Sequence, residues 1–176
     1  MPSIEYDSQE EEHFAAWLGE GMLAGFIAWS TSTYHEVSFE LSPKRTYPVQ
    51  MPKSIKERHL FHSCTYTPDF VFDVTPEFRA TFPKLNWHYL AGNMVHADIK
   101  GGWTKPDEVK CYNILRKWVF QRLGVYIQTV KIGGAAPKNN LFLQTWVPEA
   151  ARLTPKTRQV VKKYEGAKTI GDYNGN

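Results

Sequence analysis

Apolar positions recur at helical spacing near the start of the chain. Residues 8–25 place four large apolar side chains on one helical face, namely Phe14, Trp17, Leu18 and Met22. Ser8 is a suitable N-cap, and Glu11, three residues later, could complete a capping box with it. The pattern therefore predicts a first helix over 8–25.

Further along, several segments alternate apolar and polar positions or are continuously apolar, as strands are. The predicted strands are 34–42, 70–74, 94–100, 125–132 and 140–148. Residues 43–60 contain three prolines and many basic residues, so we predict a long loop there. Residues 76–93 are predicted to be irregular, and a second helix is predicted to run from Asp107 to about Arg122.

This order of elements predicts an α/β fold with a central mixed β-sheet flanked by α-helices. The 176 residues suffice for one domain with a sizeable core. We assign residues 1–150 to that domain. Residues 151–176 are predicted to form a basic C-terminal extension, with disorder in part of it left open.

Charge is unevenly distributed along the chain, although the net charge is only +3. Residues 1–20 contain six acids and no Lys or Arg, whereas basic residues gather in 44–58, 105–122 and 152–168. A basic surface with a separate acidic cluster is typical of a phosphate-binding protein that also holds a metal. Ordinary charge scatter on a soluble surface is the alternative.

The sequence carries no sign of a disulfide scaffold or of a membrane segment. Its two cysteines, Cys64 and Cys111, are too few for a disulfide framework or a multi-cysteine zinc site. No apolar run approaches the length of a membrane span, and no leader opens the chain. We predict a cytoplasmic protein with reduced thiols and no membrane partner.

Two acids stand at the ends of predicted strands. Asp69 precedes the strand 70–74, and Asp98 lies near the end of the next one, two residues before Lys100. Alternation puts Asp98 and Lys100 on one side of their strand and Ile99 on the other. If the two strands are neighbours, two carboxylates and one ammonium converge, an arrangement that suits Mg²⁺ and phosphodiester hydrolysis.

Each of these residues also has an explanation without a metal. Asp69 could be a turn residue after Pro68, and Asp98 with Lys100 could be a same-face ion pair. Glu11 could serve only the capping box. Glu10 and Glu11 both border the apolar face of the first helix, so spacing does not choose between them.

Three short motifs carry a resemblance to a known superfamily. Ser8 to Glu11 reads S-x-x-E, residues 66–70 read YTPDF, and Asp98 to Gly101 reads DIKG and is followed by Trp103. Together they resemble the PD-(D/E)XK nucleases, and among these they are most similar to phage Holliday-junction-resolving enzymes of the endonuclease I type. The resemblance covers roughly residues 8–130. The superfamily often has glutamate where this chain has Asp98, and residues 75–93 would be an insertion.

The resemblance implies a restriction-endonuclease-like core and an endonuclease dependent on Mg²⁺, with Mn²⁺ expected to substitute. It implies metal ligation by Glu11, Asp69, Asp98 and the backbone carbonyl of Ile99, with Lys100 as the catalytic lysine. It also implies branched DNA as substrate, a homodimer, and a phage protein acting in a bacterial host. It favours Glu11 over Glu10.

Several residues outside these motifs are candidate DNA contacts. The second helix carries Lys110, Arg116 and Lys117, which could bind the phosphate backbone, although a solvated helix face explains them equally. Trp103 could stack on a base or sugar, or pack in the core. Two alternatives to junction resolution stay open: a nuclease of the same fold without junction preference, on DNA or RNA, and a catalytically silent DNA-binding module.

Overall fold

The computed structural model describes residues 6–32, 37–85, 87–89, 92–101, 106–133, 138 and 140–173. The elements in chain order are α1 (Gln9–Leu23), β1 (Ile27–Ser32), β2 (Phe39–Ser42), β3 (Arg45–Met51), β4 (Ser54–Phe61), β5 (Cys64–Tyr66), β6 (Phe70–Val74), α2 (Pro76–Thr81), β7 (Met94–Lys100), α3 (Pro106–Leu123), β8 (Ile127–Lys131), α4 (Leu141–Gln144) and α5 (Glu149–Arg152). Two 3₁₀ helices follow, Lys162–Tyr164 and Ile170–Tyr173.

A four-stranded mixed sheet lies at the centre, in the order β1-β6-β7-β8. β6 pairs antiparallel with both β1 and β7, and β8 pairs parallel with β7. The prediction of a mixed sheet is therefore confirmed, and the two acid-bearing strands are neighbours. The chain between β1 and β6 forms two separate two-stranded ribbons, β2–β5 and β3–β4.

Alternation along the strands gives the central sheet two buried faces. One face packs against α1 through a large aromatic core that includes Phe14, Trp17, Phe70, Phe72, Val95 and Ile99. The other face is covered by α3 and the β2–β5 ribbon, with Leu41, Tyr66, Val119 and Ile127 buried between them. Because both faces are covered, the sheet end between β6 and β7 can be polar without exposing the core.

Helix α1 begins as predicted but contributes less apolar surface than predicted. The Ser8 hydroxyl accepts a hydrogen bond from Glu11 N at 3.2 Å, which caps the helix. Phe14, Trp17 and Leu18 are buried, whereas Met22 is exposed, so its predicted place on the apolar face is wrong. The helix ends at Leu23, and Gly25 adopts a φ of 76° just beyond it.

Two of the predicted strands are wrong in whole or in part. Residues 140–148 form the short helix α4 and coil rather than a strand, and the Asn140 side chain caps that helix by accepting from Phe142 N at 3.0 Å. A continuous apolar run has no period, so it does not distinguish a strand from a buried helix. Only Phe39–Ser42 of the predicted strand 34–42 is a strand, and 33–36 lie outside the described residues.

Sequence patterns missed several elements. β1 was not predicted, residues 43–60 contain the β3–β4 hairpin rather than a loop, and residues 76–81 form α2. The Thr75 side chain caps α2 by accepting from Phe78 N, and Pro76 stands at its first turn. Each of these elements is short or has no regular spacing of apolar residues, which is the main sign of a helix or strand in a sequence.

The described part of the predicted C-terminal extension packs on the main core. Tyr164 is buried, and its hydroxyl donates to the Ile132 carbonyl at 3.2 Å. The Tyr173 hydroxyl donates to the Thr145 carbonyl at 2.8 Å. These contacts tie the end of the chain to the α1 side of the sheet. Within the described residues, no helix combines the length and hydropathy needed to cross a membrane.

Candidate functional site

Asp69 and Asp98 lie side by side where β6 begins and β7 approaches its end. The strand register pairs Phe70 with Ala97, so the next residues along, Asp69 and Asp98, are neighbours. Asp69 N donates to Asp98 Oδ1 at 3.3 Å, and Ile99 N donates to Asp69 Oδ2 at 2.7 Å. Backbone donors therefore fix both carboxylates, although the two residues are 29 positions apart in sequence.

Lys100 completes the group predicted from the sequence. Its Nζ lies 3.7 Å from Asp69 Oδ2 and 3.8 Å from Asp98 Oδ2, so one ammonium bridges two carboxylates. Ile99 points to the opposite face, into the α1 core, as strand alternation predicts. The ion pair between Asp98 and Lys100, foreseen as the alternative explanation of these residues, is thus present, and Asp69 shares it.

Two tyrosines that the sequence did not identify as site residues hold this group in place. The Tyr66 hydroxyl, on β5, donates to Asp98 Oδ2 at 2.5 Å. The ring of Tyr112, on α3, lies 5.4 Å from Lys100 Nζ, and its hydroxyl is 2.7 Å from Thr129 Oγ1. Tyr66 belongs to the YTPDF motif, so the sequence could have identified it as a site residue. Tyr112 lies in no such motif, and the sequence showed only that it belongs to a helix.

Burial raises the pKa of both carboxyl groups, and for Asp69 the charge of Asp98 adds to it. The pKa of Asp69 is raised to about 6, first by burial and then by the charge of Asp98, against the lowering effects of Lys100 and the Ile99 N–H. The pKa of Asp98 is also raised by burial, against Lys100 and the Tyr66 hydrogen bond. The cost of burying the two carboxylates therefore exceeds the stabilisation that one ammonium and the hydrogen-bond donors give them.

The two candidate helix glutamates are both near this end of the sheet, in different settings. Glu11 is buried, its Oε2 accepts from Asp7 N at 3.2 Å, and its charge contributes to the raised pKa of Asp69. The Glu10 side chain instead lies directly against the α-carbon of Gly101, which follows Lys100. Glu11 is thus the buried one of the two, and its charge is among those that raise the pKa of Asp69, whereas spacing alone did not choose between them.

Gly101 and Gly133 pack backbone against backbone beside the site, which leads to a stability prediction. A Cβ added at Gly133 would lie 2.5 Å from the Gly101 carbonyl oxygen, a backbone atom that cannot move away by itself. We expect Gly133→Ala to lower the free energy of unfolding by about 1–3 kcal/mol, measured by urea denaturation.

The matched control is Gly19→Ala in α1, where an added Cβ would meet nothing within 4 Å. There alanine should raise the free energy of unfolding by about 0.5–1 kcal/mol, because glycine inside a helix costs conformational entropy. Equal stability of Gly133→Ala and the wild-type protein would contradict the close contact between the two glycines.

The predicted DNA contacts are dispersed. Lys110 is exposed and pairs with Asp107 at 3.4 Å, and Lys117 is exposed on the same helix. Arg116 is closer to the site, because its Nη1 donates to Thr129 Oγ1 at 3.3 Å. Trp103 lies outside the described residues. Of these four residues, Arg116 is the one that the structure links to the carboxylate site, because it contacts Thr129, which in turn contacts Tyr112.

As to metal ligands, the described part of the chain holds no cluster of three or more His, Cys, Asp or Glu side chains arranged around one ion position. The side-chain oxygens that come together are those of Asp69 and Asp98, and the Asp69 side chain keeps 24% of its surface exposed. Comparison of the chain with protein-family models, with curated proteins and with solved structures finds no match.

Proposed function

We propose that this protein is an Mg²⁺-dependent DNA endonuclease that hydrolyses phosphodiester bonds. The observation that carries the proposal is the contact of Lys100 Nζ with both Asp69 and Asp98 at 3.7 and 3.8 Å. These are the residues that the resemblance to PD-(D/E)XK nucleases singles out. A mixed sheet with a helix packed on each face agrees with the core which that resemblance implies.

The donor atoms fit a magnesium ion. Mg²⁺ is commonly held by one or two carboxylates together with waters and substrate phosphate, and Asp69 and Asp98 supply that pair. In a strand the N–H and C=O of one residue point to the same side. The Ile99 N–H points to Asp69, so the Ile99 carbonyl faces the same side. Burial first, and then the charges of Asp98 and Glu11, raise the pKa of Asp69, so a bound cation would offset the cost of its negative charge.

Each protein group then has a distinct task. When bound, Mg²⁺ would polarise the phosphoryl group and lower the pKa of a coordinated water. Lys100 would donate a hydrogen bond to the phosphate and stabilise the charge that develops in the transition state. Tyr66 acts as a positioning residue, because its hydroxyl holds Asp98 Oδ2. Burial raises the pKa of Tyr66, so its hydroxyl stays protonated and remains a donor.

Branched DNA, such as a Holliday junction, is the substrate that the resemblance favours. A junction resolved by two symmetric cuts needs two sites, which a homodimer supplies. A nuclease without junction preference is the second candidate within enzymes. A silent DNA-binding module is less favoured, because Asp69, Asp98 and Lys100 are all present and in mutual contact. A cytoplasmic phage protein would meet such DNA in its bacterial host.

The proposal is tested by measuring cleavage of four-way junction, flap, single-stranded and linear duplex DNA, and of duplex RNA. Each substrate is incubated with Mg²⁺, with Mn²⁺ and with EDTA. Cleavage of the junction with either metal and none in EDTA is the expected result. Equal cleavage of junction and linear duplex would reject junction preference but keep the nuclease, and no cleavage of any substrate would reject the nuclease.

The choice between the helix glutamates gives a separate prediction. Glu11 is buried and its charge contributes to the raised pKa of Asp69, whereas Glu10 packs on Gly101. We expect Glu11→Ala to slow cleavage at least about a hundredfold, and Glu10→Ala to slow it less than about tenfold. Initial rates on the preferred substrate measure both. The reverse order of effects would assign the helix acid to Glu10 instead.

A further inference from the structure

Among the residues that the structure describes, the β3–β4 hairpin forms a two-stranded sheet of its own, outside both hydrophobic cores. We name residues 45–61 the ribbon arm; its strands are Arg45–Met51 and Ser54–Phe61. All eight residues of β4 are exposed, and neither hydrophobic core contains a residue of the arm. An isolated two-stranded hairpin is marginally stable in water, so an arm of this kind gains stability from a bound partner.

The charge of the arm selects an anionic partner. It carries four basic residues, Arg45, Lys53, Lys56 and Arg58, against one acid, Glu57. Its net charge of +3 equals that of the whole chain. Such a density of positive charge repels a second copy of the same arm and attracts a polyanion.

The strand register concentrates this charge on one face. Residues directly opposite in an antiparallel pair share a face. Tyr47 pairs with Arg58 and Val49 pairs with Lys56, so these four residues form what we name the basic face. The acid, Glu57, pairs with Pro48 on the opposite face. The basic face therefore combines two cations with an aromatic and an aliphatic side chain and includes no acid.

The edge of the ribbon is unsuited to strand pairing with another protein chain. Pro48, in β3, has no N–H to donate to a further strand. Lysines and prolines on edge strands are the usual means of preventing such pairing. Exposed apolar side chains nonetheless remain, among them Ile55 at 67% exposure and Tyr47 at 42%. The partner thus contacts the faces of the ribbon rather than its edge.

From these features we propose that the ribbon arm binds in the major groove of duplex DNA through its basic face. The groove is about 12 Å wide and admits a two-stranded ribbon, whose strands lie about 4.8 Å apart. Lys56 and Arg58 contact phosphates on the groove wall, and Tyr47 packs against the sugars and base edges. This role deepens the proposed nuclease function by naming a second DNA contact beyond the carboxylate site.

The chain that connects the arm to the carboxylate site limits how far the two DNA contacts can lie from each other. The arm leads directly into β5, whose Tyr66 hydroxyl contacts Asp98. Ser54 at the tip lies twelve positions before Tyr66, a span of at most about 40 Å when extended. One turn of B-DNA is about 34 Å, so the arm can hold a duplex about one turn from the phosphate at the carboxylates.

The test is DNA binding in EDTA, so that it does not depend on cleavage. A fluorescent duplex of about 30 base pairs is titrated with the full-length protein by anisotropy at about 50–200 mM salt. In Lys56→Gln/Arg58→Gln, the slope of log K against log salt should be shallower by about 1.8, since each lost phosphate contact removes about 0.9. Affinity near 0.1 M salt should fall about 10- to 100-fold.

The matched control is Lys84→Gln/Lys138→Gln, which makes the same charge change at two exposed positions outside the arm and outside the three basic segments. It should bind within about twofold of the wild-type protein. Tyr47→Ala should weaken binding about 5- to 50-fold without changing the salt slope, because it removes packing and no charge. Urea denaturation should give unchanged stability for these variants, since the arm makes no core contact.

Two results would overturn the inference. One is identical binding by Lys56→Gln/Arg58→Gln and by its control. The other is a wild-type dimer in sedimentation that the arm variants dissociate, which would make the arm an interface between copies. If the arm variants lose binding but the wild-type protein cleaves no DNA, DNA binding by the arm is supported and the nuclease function is rejected. If the wild-type protein cleaves DNA and the arm variants bind DNA normally, the nuclease function is supported and DNA binding by the arm is rejected.

Discussion

Asp69→Asn is expected to abolish cleavage and, at the same time, to stabilise the metal-free protein at neutral pH. Cleavage should fall at least about a thousandfold, equivalent to about 4 kcal/mol of transition-state stabilisation, because an amide is a poor ligand for Mg²⁺. DNA binding in EDTA should survive. The free energy of unfolding in EDTA above pH 7 should rise by about 1–3 kcal/mol.

The stability change follows from the pKa of the Asp69 carboxyl group. Folding raises that pKa to about 6 from an unfolded value of about 3.9. A carboxyl group with a raised folded pKa stabilises the protein fully below the unfolded pKa, and that stability is lost as pH rises through about 6. Asparagine does not titrate, so its advantage should be absent below pH 4 and complete above pH 7.

Urea denaturation in EDTA from pH 3.5 to pH 8 measures this difference, and subtracting the two proteins cancels groups unaffected by the substitution. A residual pH dependence should remain in Asp69→Asn, since burial also raises the pKa of Asp98. Full cleavage activity in Asp69→Asn would remove Asp69 from the site. A variant less stable than the wild-type protein at pH 8 would contradict the raised pKa of Asp69 in the folded protein.

Lys100→Ala is the second prediction, and it is expected to abolish cleavage with the opposite effect on stability. Lys100 Nζ is the ammonium shown bridging Asp69 and Asp98, so its removal leaves their repulsion unopposed. We expect cleavage to fall at least about a hundredfold. The free energy of unfolding of the metal-free protein at pH 8 should fall by about 1–3 kcal/mol, since the pair is only partly buried.

Lys131→Ala provides the control, because Lys131 pairs in register with Lys100 on the adjacent strand and is exposed. It should change stability by less than about 0.5 kcal/mol and cleavage by less than about tenfold. Combining Lys100→Ala with Asp69→Asn should cost less stability than Lys100→Ala alone, as one of the two repelling charges is already gone. Normal cleavage by Lys100→Ala would exclude it as the catalytic lysine.

Local sequence patterns were a reliable guide to five main elements, α1, α3, β6, β7 and β8. The helices were predicted from the period of an apolar face, and the strands from short apolar runs bounded by proline or glycine. Strand alternation placed Asp98 and Lys100 on one face and Ile99 on the other. It failed for the ribbon arm, whose exposed strands need no apolar alternation, and for 141–144, where a continuous apolar run has no period.

The sequence by itself determined the candidate chemistry, through the residue types at strand ends and the motifs that contain them. Only the tertiary structure decided which residues meet, because contacts between residues far apart in sequence depend on strand register. The pairing of β6 with β7 puts Asp69 beside Asp98, and the packing of β5 and α3 brings Tyr66 and Tyr112 to them. No local pattern encodes those distances, since each is set by another part of the chain.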